Sequence, residues 1–170
     1  DRRAAAAKAY IVGQGIDVAI RIAPLRDNRL AAKRLADSPR ALWASPAYLE
    51  AFGRPKTLAD LADHQCLVAT GSSHWAFVHE GKAFKQKVSG RFSASSIEAV
   101  YEACRGGLGI ANLSRWYADP VLDNADVQQI LLEDAEPEPL GIWAVYPSSH
   151  MIPPKVRMFV RSLEQSLPAT

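Results

Sequence analysis

The run Arg40-Ala41-Leu42-Trp43-Ala44-Ser45-Pro46-Ala47-Tyr48-Leu49 passes from a strand into a helix without a break. Arg40 to Ala44 is an extended apolar stretch. Ser45 then offers a hydroxyl to cap a helix, and Pro46 stands at the first helical position, where its missing N–H costs nothing. Tyr48, Leu49 and Phe52 give that short helix an apolar face, and Gly53 with Pro55 ends it. Strand alternating with helix is the pattern from which α/β folds are assembled.

The alternation continues in both directions. Upstream, Asp17 to Ile22 reads DVAIRI, with Val18, Ile20 and Ile22 on one face, expected to be buried, and Asp17, Ala19 and Arg21 on the other. Leu30 to Leu35 is a weaker extended run, set off from Arg40 by the turn signal Asp37-Ser38-Pro39. Downstream, Thr57-Leu58-Ala59-Asp60 opens a second short helix with Leu58 and Leu61 inward. Cys66 to Ala69 is a buried strand ending at Thr70-Gly71-Ser72-Ser73. Trp75 to His79 and Ala83 to Val88 flank Glu80-Gly81-Lys82 as a hairpin, and Ser89 to Ser93 is read as extending its second arm.

A clear helix follows. Ser95 and Glu98 have capping-box spacing, and Ile97, Val100, Tyr101 and Cys104 recur at helical intervals until Gly106-Gly107. Leu108 to Ala111 is a short buried strand, and Ser114 caps a helix through Trp116 and Tyr117. Val127 to Leu132 and Leu140 to Tyr146 are strands joined by the loop Ala135 to Pro139. Pro153-Pro154 starts a last helix with Val156, Phe159, Val160 and Leu163 on one side. The expected fold is α/β, with a largely parallel sheet or sheets.

Composition bounds the function. The 170 residues suffice for one generous domain or two small lobes, and 48% apolar with 22% charged residues excludes a disordered chain. Twenty Lys and Arg against eighteen Asp and Glu leave +2, so the chain carries no basic footprint for contacting DNA by itself. No apolar run approaches the roughly 20 residues of a membrane span, and there is no signal-peptide pattern. Cys66 and Cys104 make neither a disulfide framework nor a zinc site. The opening Asp1-Arg2-Arg3 with its alanines reads as a cut through a larger protein, an edge and not a functional element.

In open α/β sheets ligands gather at the carboxyl ends of strands. Arg21 lies at such an end, where its guanidinium holds a carboxylate or else makes a surface salt bridge with Asp17 or Asp27. Thr70-Gly71-Ser72-Ser73 is either a cradle for an anionic group or an ordinary polar turn. Ser95 and Ser96 stand at a helix start, whose free N–H groups attract a carboxylate. Capping accounts for one serine and leaves the other spare. His64, His74, His79 and His150 lack metal-ligand spacing and are read as solvated or core histidines, and both cysteines as small hydrophobes. No G-x-S-x-G elbow, P-loop or dinucleotide loop occurs, so no catalytic residue, metal or cofactor is assigned and the chain is not read as an enzyme.

Taken in order, these pieces resemble the effector-binding domain of LysR-type transcriptional regulators. The resemblance rests on Gly15-Ile16-Asp17-Val18-Ala19-Ile20-Arg21-Ile22, then Leu35-Ala36, then Ala44-Ser45-Pro46-Ala47-Tyr48-Leu49. It continues with Gly53-Arg54-Pro55, Leu58 to Leu67 ending in His64-Gln65-Cys66-Leu67, and Trp75 with Phe77. Gly107-Leu108-Gly109-Ile110-Ala111, Val145-Tyr146-Pro147, Pro154-Lys155-Val156-Arg157 and Phe159-Val160 complete it. It covers residues 11 to 166.

The resemblance implies a two-lobed fold like the type 2 periplasmic binding proteins, with residues 1–43 and 112–170 in the first lobe and 44–111 in the second. The family's helix-turn-helix and the first elements of the first lobe would precede Asp1, leaving that lobe N-terminally incomplete here. The family's interlobe cleft maps onto Arg21, Ile22, Thr70, Gly71, Ser95, Ser96 and Gly109, with Trp75 as either a lid or a core aromatic. It further implies a small-molecule effector, an organic acid given Arg21, in a cytoplasmic homodimer or homotetramer that touches DNA only through the missing domain. A periplasmic solute-binding protein of a transporter is the alternative, since it shares the fold.

Overall fold

The structure, a computed structural model, describes residues 15–23, 31–115, 126–146 and 152–167. The helix expected through Trp116 and Tyr117, the segment before residue 15, Asp27 and His150 lie outside the described residues. In chain order the strands are β1 (Ala19–Ala23), β2 (Ala31–Ser38), β3 (Arg40–Ala44), β4 (Cys66–Ala69), β5 (His74–His79) and β6 (Lys82–Lys87). They continue as β7 (Ser93–Ala94), β8 (Ile110–Ser114), β9 (Gln128–Ile130), β10 (Glu136–Pro137) and β11 (Leu140–Tyr146). The helices are α1 (Pro46–Phe52), α2 (Ile97–Arg105) and α3 (Pro154–Ser166), with a 3-10 turn at Ala59–Asp63.

Contacts divide the chain into two units, Asp1–Ser38 with Pro139–Thr170, and Pro39–Glu138. Each contains sheet and helix, so the fold is α/β in two sheet-containing lobes. In the first, β11 lies between β1 and β2 and pairs antiparallel with both. Val156 and Val160 of α3, one turn apart, pack on Ala144 and Tyr146 of β11 and on Leu35 of β2.

Two burial expectations fail in this unit. Val18 packs against the cluster around α3, but Ile20 and Ile22 on the same face of β1 are 41% and 56% exposed; among the described residues β1 is an edge strand, and α3 lies over β11 and β2. Phe159 is 52% exposed, since the i, i+4 stripe of Val156 and Val160 is wide enough for so narrow a sheet.

The Pro39–Glu138 unit has a five-stranded sheet in the order β7-β4-β8-β3-β9 and a second sheet, β10-β5-β6. The first sheet is buried on both faces. Ala41, Trp43, Leu67, Ala111 and Leu113 meet Val100, Tyr101, Ala103 and Cys104 of α2 on one side. Leu42, Ala44, Cys66 and Ile110 meet Tyr48, Leu61, Trp75 and Phe77 on the other. Two covered faces explain why β4 and residues 41–44 of β3 read as continuous apolar runs.

Ser45 caps α1 as expected, its Oγ accepting the Tyr48 N–H at 3.2 Å. Phe52 is exposed and its ring lies tilted against Tyr48, 4.8 Å between centroids. The hairpin forms with the two-residue turn Glu80-Gly81, both at positive φ (48° and 75°), the type I′ geometry that matches strand twist.

Other expectations are corrected by the pairing. Only β4–β7 and β4–β8 are parallel among the described pairs; the rest are antiparallel. Parallel neighbours need a long crossover, and only the β5–β6 hairpin and α2 supply one between paired strands. The turn expected at Asp37-Ser38-Pro39 is instead the passage between units, with Pro39 alone separating β2 from β3. Ser89 to Ser93 does not extend β6; the chain leaves that sheet and returns beside β4 as β7. The loop at Ala135 to Pro139 contains β10, paired with β5.

Candidate functional site

Three strands of the Pro39–Glu138 unit end side by side. The registers Ala69↔Ala94, Leu67↔Ala111 and Arg40↔Ser114 bring the carboxyl ends of β7, β4 and β8 to one edge of the sheet, where antiparallel β3 begins. That edge therefore carries Ser95 and Ser96 after β7, Thr70 and Gly71 after β4, Ser114 on β8 and Arg40 on β3. The Thr70 N–H donates to the Ala94 carbonyl at 2.9 Å, tying the two expected loops together.

The loop after β4 is a tight turn. Gly71 has φ +79°, and the Ser72 N–H donates to the Ala69 carbonyl at 2.9 Å. Ser72 Oγ donates to the His74 carbonyl at 3.1 Å, and Ser73 Oγ lies 2.9 Å from His74 Nδ1, so these two hydroxyls serve the turn itself. Thr70 and Gly71 stay exposed.

Ser96, not Ser95, caps α2. Its Oγ accepts the Ala99 N–H at 3.4 Å and donates to the Glu98 carboxylate, so the helix starts one residue later than a Ser95–Glu98 capping box would put it. The Ser96 hydroxyl, and then the backbone N–H of Glu98, hold that carboxyl below the usual range. Ser95 is the spare serine, exposed at the strand end.

Arg40 is a feature of this edge that sequence reasoning missed. Its Nε donates to Asn112 Oδ1 at 3.0 Å and its Nη2 to the Asn112 carbonyl. Burial pushes the guanidinium down to about 10. The available signals were a cation opening the otherwise apolar Arg40–Ala44 and an asparagine within the buried Ile110–Ser114.

The remaining expected residues lie elsewhere. Gly109 precedes β8 and sits at the opposite edge from Thr70, where Ile110 pairs with Cys66. A Cβ on Gly109 would come 2.2 Å from the Gln65 carbonyl oxygen, so this glycine permits close strand packing. Trp75 is buried in the core cluster with Phe77, Leu61 and Tyr48. Arg21 and Ile22 belong to the other unit. Arg21 is half-buried opposite Trp143 in the β1–β11 register, and Asp17 pairs with Lys155 at 2.6 Å.

The thiols and the described imidazoles bond within the fold. Burial pushes both Cys66 and Cys104 up to about 12; Cys104 donates to the Trp43 carbonyl at 3.2 Å. His64 is buried against the Tyr48 hydroxyl at 3.1 Å, and His79 Nδ1 donates to the Asp134 carbonyl at 2.5 Å. Among the described residues no cluster of His, Cys, Asp and Glu has metal-binding geometry. Nor is any described helix long and apolar enough to cross a membrane. An open groove of about 400 Å³ lined by Leu58, His79, Glu80, Lys82, Phe84 and Asp134 includes none of the strand-end residues.

Residues 10–168 match the model of the LysR substrate binding domain. The chain belongs to this family. It is 34% identical over 159 residues to the HTH-type transcriptional regulator DmlR of Escherichia coli K12, covering 91% of this chain and 51% of that protein. It is 33% identical to the regulator CrgA of Neisseria meningitidis serogroup C, covering 92% and 53%. Among solved LysR-type structures, the CrgA regulatory domain from Neisseria meningitidis superposes with a TM-score of 0.75 at 32% identity, covering 92% of this chain and 78% of that one. The full-length virulence activator AphB of Vibrio cholerae gives 0.73 at 28%, covering 90% and 52%. This LysR-family chain thus spans about half the length of the curated relatives it matches.

Proposed function

We propose that this chain senses a small carboxylate-bearing effector for a bacterial LysR-type transcriptional regulator acting in the cytoplasm. The family match over residues 10–168 is the observation that carries the reading, and the gathering of Thr70, Gly71, Ser95 and Ser96 at one strand edge supports it. Thr70 and Ser95 offer hydroxyls to the ligand, Gly71 and the capped start of α2 shape the edge, and Trp75 backs it from the core. Arg21 pairs with an acid group, with Ile22 beside it and Gly109 setting the strand packing.

The chemistry required is binding, not catalysis. An effector acts by preferring one arrangement of the protein over another, and the difference in affinity is the signal. DNA-binding domains outside this sequence would read that change, in a homodimer or homotetramer. A thermal-shift screen of small organic acids and aromatic metabolites would find ligands, because binding to the folded state raises the melting temperature. Titration calorimetry then tests Arg21→Ala. The expected result is a folded domain whose affinity for an acidic ligand falls at least about tenfold, the scale of one charge-assisted pair. Unchanged affinity removes Arg21 from the site.

A further inference from the structure

Building on the effector-sensing reading, we propose that Arg40 is the anion anchor of the Pro39–Glu138 unit, receiving the carboxylate of an acidic effector at the strand edge that also carries Thr70 and Ser95. Its position follows from register alone. Arg40 opposes Ser114 on β8, and β8 runs parallel to β4, which Thr70 follows. The guanidinium thus begins β3 at the edge where three parallel strands finish.

Its bonding is incomplete in a specific way. Of the five N–H donors of a guanidinium, Asn112 takes two, one from Nε and one from Nη2. These fix the plane of the group and leave Nη1 and half of Nη2 to address a carboxylate side by side. Asn112 is neutral, and among the described residues no carboxylate pairs with Arg40. A partly buried cation without a counter-charge is costly, and an arriving anion relieves that cost.

The rival position for an acid group is already filled. The start of α2 holds the Glu98 carboxylate through the Ser96 hydroxyl. A ligand carboxylate directed there would face a like charge, whereas at Arg40 it meets an oriented cation. Of the other arginines of this unit, Arg54 is engaged with Gln128 and the Gln129 carbonyl, Arg105 with Glu102 and Asp126, and Arg91 is exposed before the start of β7, at the opposite end of the strands. Arg115 follows Ser114 at the same edge but is exposed, so water already solvates it. The resulting site offers one charge-assisted contact for an acid group and hydroxyls for neutral polar groups. It favours a hydroxy acid over a purely apolar effector.

The experiment is a titration of the full 170-residue chain with acetate, benzoate, succinate and citrate, in wild type, Arg40→Gln and Arg40→Lys. Arginine Nε–Hε resonances and calorimetry are the two readouts. The Arg40 resonance, protected by Asn112, is identified by its loss from both variants. An acid that binds is expected to shift this resonance, with Arg40→Gln weakening affinity at least about tenfold and Arg40→Lys, which keeps the charge, weakening it less. The wild-type resonance reports whether or not a variant folds. Binding that leaves the resonance unmoved and Arg40→Gln as tight as wild type overturns the Arg40 assignment while the effector-sensing reading stands. If no acid perturbs the wild-type spectrum at tens of millimolar, the acidic-effector reading falls and the Arg40 proposal with it.

Discussion

Tyr48, His64 and Gln65 form a small polar knot inside an apolar core. The Tyr48 hydroxyl accepts the Gln65 N–H at 2.9 Å and, with its own proton, reaches His64 Nδ1 at 3.1 Å. That arrangement suits a neutral imidazole protonated on Nε2. Burial lowers the His64 pKa, against weaker opposing pulls from Asp60 and Asp63. The consequence for stability has a definite sign. A histidine with a depressed folded pKa binds its proton more readily once unfolded, so stability is full above the unfolded value of about 6.5 and is lost as pH falls from there towards the folded value. The melting temperature of the wild type is therefore expected to drop as pH is lowered through that window. His64→Gln, which can still accept from Tyr48, is expected to flatten that segment of the curve. An equal pH slope in variant and wild type would assign the effect to carboxylates.

At the scale of elements, the contact between β4 and β8 depends on one missing side chain. The Ile110 N–H donates to the Gln65 carbonyl at 2.8 Å, and Gly109 lies so near that a Cβ would stand 2.2 Å from the same oxygen. Backbone cannot swing aside as a flexible side chain can. Gly109→Ala is expected to cost about 1–3 kcal/mol, the range for overpacking. Urea unfolding measures this, and a midpoint equal to wild type would mean that β8 tolerates displacement. The motif Gly107 to Ala111 was legible in the sequence, as were the Ser45 cap, the hairpin and the helix at 97–105, because all are local signals. Which side of a strand would be covered was not legible. Ile20 and Ile22 alternate correctly yet sit at a sheet rim, and that depends on where α3 comes to rest. Strand direction was equally hidden, since helices and strands alternate along the chain while most neighbours pair antiparallel. That Thr70 and Ser95 follow strands was legible, and that the two strand ends lie side by side was not. Arg40 was missed because its significance comes from Asn112, 72 positions away on the neighbouring strand.

For the molecule as a whole, the two units are unequal in how the chain builds them. Pro39–Glu138 is continuous and encloses two apolar clusters, one on each face of its five-stranded sheet. The other unit is assembled from two separated stretches and has, among the described residues, a smaller core around Ala144, Tyr146, Val156 and Val160. Bringing distant stretches together costs loop-closure entropy that a continuous unit avoids. A domain of about 100 residues with its own core is within the range that folds alone. Residues 39–138 expressed as a fragment are therefore expected to unfold cooperatively in urea, with slow amide exchange concentrated in β3, β4 and β8. The two stretches of the other unit, mixed as peptides, are expected to remain unstructured. An unfolded 39–138 fragment would mean that its two-sided core draws essential stability from the rest of the chain.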